Sequence, residues 1–165
     1  MRKLTFIVFI LLSTSLSAEI PNYDYASAGV SFSYSGLKND HKSGRDEPLS
    51  VVFVSGEKPF SVSVHFNEVT HAGSLETFMA IEKAKQKAEG YISEVKTTKI
   101  ALNGSSAYEI IRTSNVVKIR WFIFESKRDN KLYSFWLVES STLKKENNNA
   151  ISGYESMKST LKLLK

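Results

Sequence analysis

The stretch Ser105–Ser140, SSAYEIIRTSNVVKIRWFIFESKRDNKLYSFWLVES, decides the fold. It divides into three runs rich in β-branched and aromatic residues, Ser105–Arg112, Val116–Glu125 and Lys131–Ser140, separated by two short polar breaks. Runs of this composition, bounded by Ser, Asn and Asp, predict consecutive strands of an antiparallel meander. Both tryptophans of the chain, Trp121 and Trp136, fall within it.

Turn lengths give this meander a testable register. A two-residue turn at Ser114-Asn115 sets Thr113 opposite Val116, and so Glu109 opposite Arg120 and Ile110 opposite Ile119. A five-residue turn at Ser126–Asn130 sets Glu125 opposite Lys131, Arg120 opposite Trp136 and Trp121 opposite Phe135. One face then collects Tyr108, Ile110, Ile119, Trp121, Ile123, Tyr133, Phe135 and Leu137, and is a core face. The other collects Glu109, Ile111, Lys118, Arg120, Phe122, Phe124, Ser134 and Trp136. It is mixed, with Arg120 between a carboxylate and an indole. A helix is expected over Phe122 and Phe124, which leaves the Arg120 end open. Arg and Trp are enriched at interface hot spots, so Glu109, Lys118, Arg120 and Trp136 are the candidate partner-binding residues. The structural alternative is an ordinary cross-strand cation–π pair, worth about 0.5–1 kcal/mol.

Upstream, Val30, Phe32 and Tyr34 alternate with serines and predict a strand. Gly36–Pro48 has the composition of a long surface loop. Leu49–Val54 and Phe60–Val69 are two further strands. The second sets Phe60, Val62, Val64 and Phe66 against Ser61, Ser63, His65 and Asn67. The period then changes to that of a helix: Leu75, Phe78, Ile81, Ala84 and Ala88 form one stripe, with Ser74 as N-cap and Gly90 closing it. Tyr91–Leu102 is extended, and Asn103-Gly104 is a hairpin signal. Downstream, Leu143–Asn149 is a polar turn whose asparagines cap a last helix carrying Ile151, Tyr154, Met157, Leu161 and Leu164. The order βββ-α-ββββ-α predicts an α+β domain, an antiparallel sheet with helices packed on it.

Residues 1–18 read as an export leader. Arg2 and Lys3 precede the apolar run Leu4–Leu12, and small residues lead to Ala18, with cleavage expected near Ser17 or Ala18. The run is too short to span a bilayer as a helix, which takes about 20 residues. No stable membrane insertion is expected once it is cleaved. Residues 19–165 then form a single domain. The formal charge of +5 falls with the loss of Arg2 and Lys3 and is no nucleic-acid footprint. The chain has no cysteine, which excludes thiol catalysis, thiolate metal sites and disulfides.

No catalytic set emerges. His65, Glu68 and His71 do not have the spacing of metal ligands. His41 with Asp40, Asp46 and Glu47 lacks the pattern of a calcium loop. There is no Gly-x-Ser-x-Gly elbow and no phosphate-binding Gly-rich loop, and no cofactor is expected. Asn103-Gly104-Ser105 has the form of a glycosylation acceptor but reads as a turn.

With its elements in order, the chain resembles the PsbP-like α/β/α family. That family includes an extrinsic photosystem II subunit, a Ran-binding nuclear import factor and small exported bacterial proteins. The resemblance rests on Val30-Ser31-Phe32-Ser33-Tyr34, Ser74-Leu75-Glu76-Thr77-Phe78 and Leu102–Glu109. It continues through the aromatic hairpin 116–138 and Tyr154–Leu161, and covers roughly Gly29 to Leu164. The Pro-Gly-Trp that commonly follows the first strand in the family is replaced here by the polar loop 36–48. The resemblance implies a sheet sandwiched by helices and a role in binding other proteins, not catalysis. The expectation is therefore a periplasmic or secreted non-enzymatic accessory domain that binds another protein. One alternative is a small-ligand carrier or hydrolase-like enzyme with a pocket between sheet and helix, near His65. Another is an envelope-associated structural protein using its lysines.

Overall fold

The computed structural model of the protein describes residues 20–42, 50–57, 59–71, 73–88, 94–102, 105–115 and 117–164. Residues 1–18, expected as a leader, and Asp46, Glu47, Gly90, Asn103 and Gly104 lie outside the described residues. In chain order the elements are β1 (Asn22–Tyr25), a 3-10 turn (Ala26–Ala28), β2 (Val30–Ser33), β3 (Lys38–Lys42), β4 (Ser50–Glu57) and β5 (Phe60–Val69). Then come α1 (Leu75–Ala88), β6 (Glu94–Leu102), β7 (Ser105–Thr113), β8 (Lys118–Glu125), β9 (Leu132–Glu139), α2 (Lys144–Thr160) and β10 (Lys162–Leu163). A large sheet has the order β3-β4-β5-β9-β8-β7-β6, and a small one the order β1-β2-β10. Every pairing is antiparallel, as the α+β expectation requires.

Period-two alternation divides the large sheet into two faces. On one, Val51, Phe53, Val64, Phe66, Phe135 and Leu137 meet Ala150, Tyr154 and Met157 of α2, and Val30 and Phe32 of the small sheet. On the other, Ile110, Ile123 and Leu132 meet Leu75, Phe78 and Met79 of α1. We call these the α2 face and the α1 face.

The meander holds, but its register differs. The β7–β8 turn is longer than two residues, with Thr113 opposite Lys118 and Glu109 opposite Phe122. A shift of two residues keeps every side chain on its face. In the β8–β9 connection Ser126 pairs with Lys131 and extends the ladder, leaving the four residues 127–130 as the loop in place of the expected five. The Ser126 N–H bonds the Lys131 carbonyl, the Asn130 N–H bonds the Ser126 carbonyl, and Asn130 is left-handed at φ 57°. Glu125 therefore faces Leu132, and Trp121 faces Trp136. A shift of one residue turns the whole strand over. Tyr133, Phe135 and Leu137 lie with Phe122 and Phe124 on the α2 face, and Ser134 and Trp136 join Trp121 on the α1 face.

Other differences have local causes. Residues 38–42, expected as loop, form an edge strand on β4; charged residues at such an edge discourage pairing with another chain. Helix α1 is capped by Ser74, whose Oγ accepts from the Thr77 N–H at 3.3 Å. It buries Leu75, Phe78, Met79 and Glu82 while Ile81 stays 42% exposed, so its inner face is rotated toward Glu82. Helix α2 starts at Lys144, with the asparagines inside it. Asn147 is buried because its amide bonds both the N–H and the carbonyl of Ser140. Gly153 is needed where α2 crosses Leu37, whose side chain fills the space a Cβ would take. Among the described residues, no helix is long and apolar enough to cross a membrane.

The register makes a direct prediction. Oxidised Lys118→Cys/Glu139→Cys protein forms a disulfide, and Lys118→Cys/Val138→Cys does not, because side chains of opposite parity point to opposite faces. Mass spectrometry reads the result; the reverse outcome places β9 one residue out.

Candidate binding groove

The four candidate contact residues do not come together. Glu109, Lys118 and Arg120 lie on the α2 face and Trp136 on the α1 face, because β9 is turned over relative to the expected register. Arg120 pairs with Glu139, at 2.7 Å, not with Glu109 or an indole. Glu109 accepts from Lys158 of α2 at 2.6 Å and from the Tyr154 hydroxyl at 3.1 Å. Burial, with the Glu109 carboxylate beside it, raises the Tyr154 pKa and keeps the hydroxyl a donor. Glu109 thus fastens α2 to the sheet, and Arg120 ties β8 to β9.

The imagined histidine triad also disperses. His65 lies on the α1 face opposite Trp136. Glu68 has the other parity and pairs with Lys131 at 2.8 Å. The His71 ring stands edge-on to Phe78, centroids 5.1 Å apart.

What the register does assemble is a row across the α1 face. Val52, His65, Trp136, Trp121 and Ile110 follow one another on β4, β5, β9, β8 and β7, each opposite the next. The His65 and Trp136 rings meet at 5.4 Å, and Trp121 stands edge-on to Phe78 of α1 at 5.5 Å. Helix α1 covers only part of this face. Its contacts run from Val69 and Leu132 through Ile123 to Ile110 and Val95, a diagonal across the strands. Beside that diagonal lies a groove of about 560 Å³, lined by Ser50, Asn67, Glu68, Val69, Arg112, Ile119, Trp121, Ser134 and Trp136. A smaller hollow of about 280 Å³ continues it past Trp136 over Ser63, His65 and Val138.

The groove's charged residues are engaged inside the protein. The Arg112 guanidinium bonds Glu82 of α1 at 2.8 Å and lies over the Trp121 ring at 5.9 Å. Lys85 binds the same carboxylate at 3.0 Å. Ser50 Oγ donates to Asn67 Oδ1 at 2.8 Å. Burial lowers the His65 pKa below that of a free imidazole, so the ring is neutral at neutral pH. Its ring partner is Trp136. A hollow of about 590 Å³ between the small sheet and the end of α2 is comparable in size. There the polar groups satisfy one another, Ser33 bonding Thr160 at 2.8 Å and Asn22 at 2.6 Å. No family model matches the chain, and no match is found among curated proteins.

Alternation pointed to His65 and Asn67 on the less apolar side of β5. The missing signal was Asp129-Asn130, since Asn tolerates the left-handed conformation that closes a shorter loop.

Two expectations follow. Glu109→Ala leaves the largely buried Lys158 with only the half-exposed Glu155 as partner, Arg120→Ala leaves Glu139 without its cation, and each lowers stability by about 1.5–3 kcal/mol in urea titration. Values near zero would mean that Glu109 does not hold α2 and that Arg120 does not hold the end of β9. The second concerns pH. The unfolded chain takes up a proton on His65 near pH 6.5, before the folded one. Stability from the neutral ring is present above that pH and is lost as pH falls toward the lower folded value. Between about pH 7.5 and about pH 5.5 the wild type therefore loses more stability than His65→Gln, measured as the shift in urea midpoint. Parallel losses would show a solvated, unshifted ring.

Proposed function

We propose that the protein is a non-enzymatic binding domain, exported on its N-terminal leader, that receives its ligand in the groove beside α1. One observation carries this: the row His65–Trp136–Trp121 is left half-buried on a sheet whose other face is closed by α2 and the small sheet. Tryptophan offers a large apolar surface with a single polar handle, the character of a residue that waits for a partner. The layering of α2 and small sheet, large sheet, and α1 is compatible with the α/β/α arrangement implied by the PsbP-like resemblance, whose members mostly bind and do not catalyse.

Size favours a small ligand. Nine residues line the groove, against roughly 20–30 a side in a stable protein interface. Its volume lies within the roughly 300–1,000 Å³ of small-ligand sites. The second reading is a partner protein that docks an anchoring side chain in the same groove, favoured by the enrichment of Trp at hot spots.

The test is recovery. The processed chain, immobilised and exposed to an envelope extract of its source organism, retains a ligand identified by mass spectrometry. Trp136→Ala reduces that recovery about tenfold or more, and Lys118→Ala does not change it. A small molecule among the retained species supports the first reading, and a Trp136-dependent protein supports the second. Equal recovery by wild type and Trp136→Ala removes the groove as the binding surface.

A further inference from the structure

We infer that the groove selects a flat, uncharged ring system carrying one hydrogen-bond-accepting oxygen at its β4–β5 end. This rests on the groove being the binding surface and names the chemistry that fills it.

The apolar half of the ligand follows from the floor. Trp121 and Trp136 are a directly opposed cross-strand pair, and Ile119 lies beyond them on β8. Aromatic side chains favour offset-stacked or edge-to-face contact with another ring. A planar ligand set on this floor meets both indoles at once, whereas a branched chain meets them only in part.

The absence of charge follows from the rim. Arg112 is held by Glu82 and Glu68 by Lys131, each at 2.8 Å. The remaining lining groups are neutral, and an anion entering the groove would shed water without an uncommitted cation to receive it. Indole faces attract cations, but the Arg112 guanidinium already lies over Trp121 at 5.9 Å and repels a second positive charge.

The oxygen follows from one end of the groove. Asn67 accepts from Ser50 through Oδ1. Its amide nitrogen has no hydrogen-bond partner among the described residues and is left as a donor. Ser134, opposite Asn67 on β9, adds a hydroxyl at the same end. A carbonyl or hydroxyl oxygen on the ligand completes this group; a ring without one leaves the amide nitrogen to water.

Three compounds separate these features: naphthalene, 2-naphthol and 2-naphthoate, measured by equilibrium dialysis against the processed chain at about pH 7.5, where naphthol is neutral and naphthoate ionised. The expected order is naphthol, naphthalene, naphthoate, with naphthol about tenfold or more tighter than naphthoate. Asn67→Ala removes the advantage of naphthol over naphthalene. Trp136→Ala weakens both by about tenfold; where that variant fails to fold, Trp136→Phe serves, with a smaller loss. Naphthoate binding as tightly as naphthol overturns the inference, as does a naphthol advantage that survives Asn67→Ala. If none of the three binds up to its solubility limit, the ligand class is wrong. The groove itself is then still judged by Trp136-dependent recovery from the envelope extract.

Discussion

The loop that returns β8 into β9 sets everything on the large sheet. Ser126 is its hub: its hydroxyl donates to the Ala28 carbonyl at 2.6 Å and accepts from the Arg128 N–H at 3.2 Å, in a buried position. Asp129 accepts from the Lys131 N–H and from the Tyr133 hydroxyl, at 3.1 and 2.6 Å. Asn130 supplies the left-handed residue that closes the turn. The loop is thus tied to the 3-10 turn between β1 and β2 on one side and to β9 on the other. Packing agrees with it. Turning β9 over would withdraw Tyr133, Phe135 and Leu137, all fully buried, from the main core. At about 1.5–3 kcal/mol for each large apolar side chain, that is a loss of roughly 5–9 kcal/mol, comparable to the stability of a whole domain.

This register gives the two faces different tasks. The α2 face is closed. Its aromatic cluster is complete, and its charges, Glu109 with Lys158 and Arg120 with Glu139, are spent on holding α2 and the strand ends. The α1 face is left partly open. Helix α1 is anchored by Leu75, Phe78 and Met79, with Glu82 reaching Arg112. Its diagonal path leaves the row around Trp136 uncovered. One chain of contacts, Glu82 to Arg112 to Trp121, joins the helix to the groove floor, so the seating of α1 shapes the site.

Much of this was legible in the sequence. Alternation identified β2, β4, β5 and the meander, and the change of period located α1. The grouping of β7 and β8 side chains into two faces was also legible, because the error in that turn was an even number of residues. The roles of the faces were not: the side of Ile119 and Trp121, expected as the closed core, is the partly open one, and the side of Phe122 and Phe124 lies in the main core. Turn closure was not legible by composition. The break Ser126–Asn130 reads equally well as five loop residues or as a shorter loop whose first residue belongs to the ladder. The long-range bond from Ser126 to Ala28 and the burial of Tyr133, Phe135 and Leu137 in the main core go with the second reading, and neither is local to the loop. The face of α1 escaped for a related reason. A carboxylate is turned inward in place of Ile81 because Arg112, thirty residues away in sequence, is there to receive it. The candidate residues parted with β9: Trp136 lies on the α1 face beside the groove, while on the α2 face Glu109 holds Lys158 and Tyr154 of α2 and Arg120 pairs with Glu139.

The central claim is that Trp136 shares the α1 face with Trp121 and His65. Nuclear Overhauser effects from the Trp136 indole test it most directly. Cross-peaks are expected from that ring to the Trp121 indole and the His65 imidazole, and none to the Arg120 side chain. Cross-peaks from Trp136 to Arg120, together with Trp121 to Phe135, would restore the alternative register and contradict the groove.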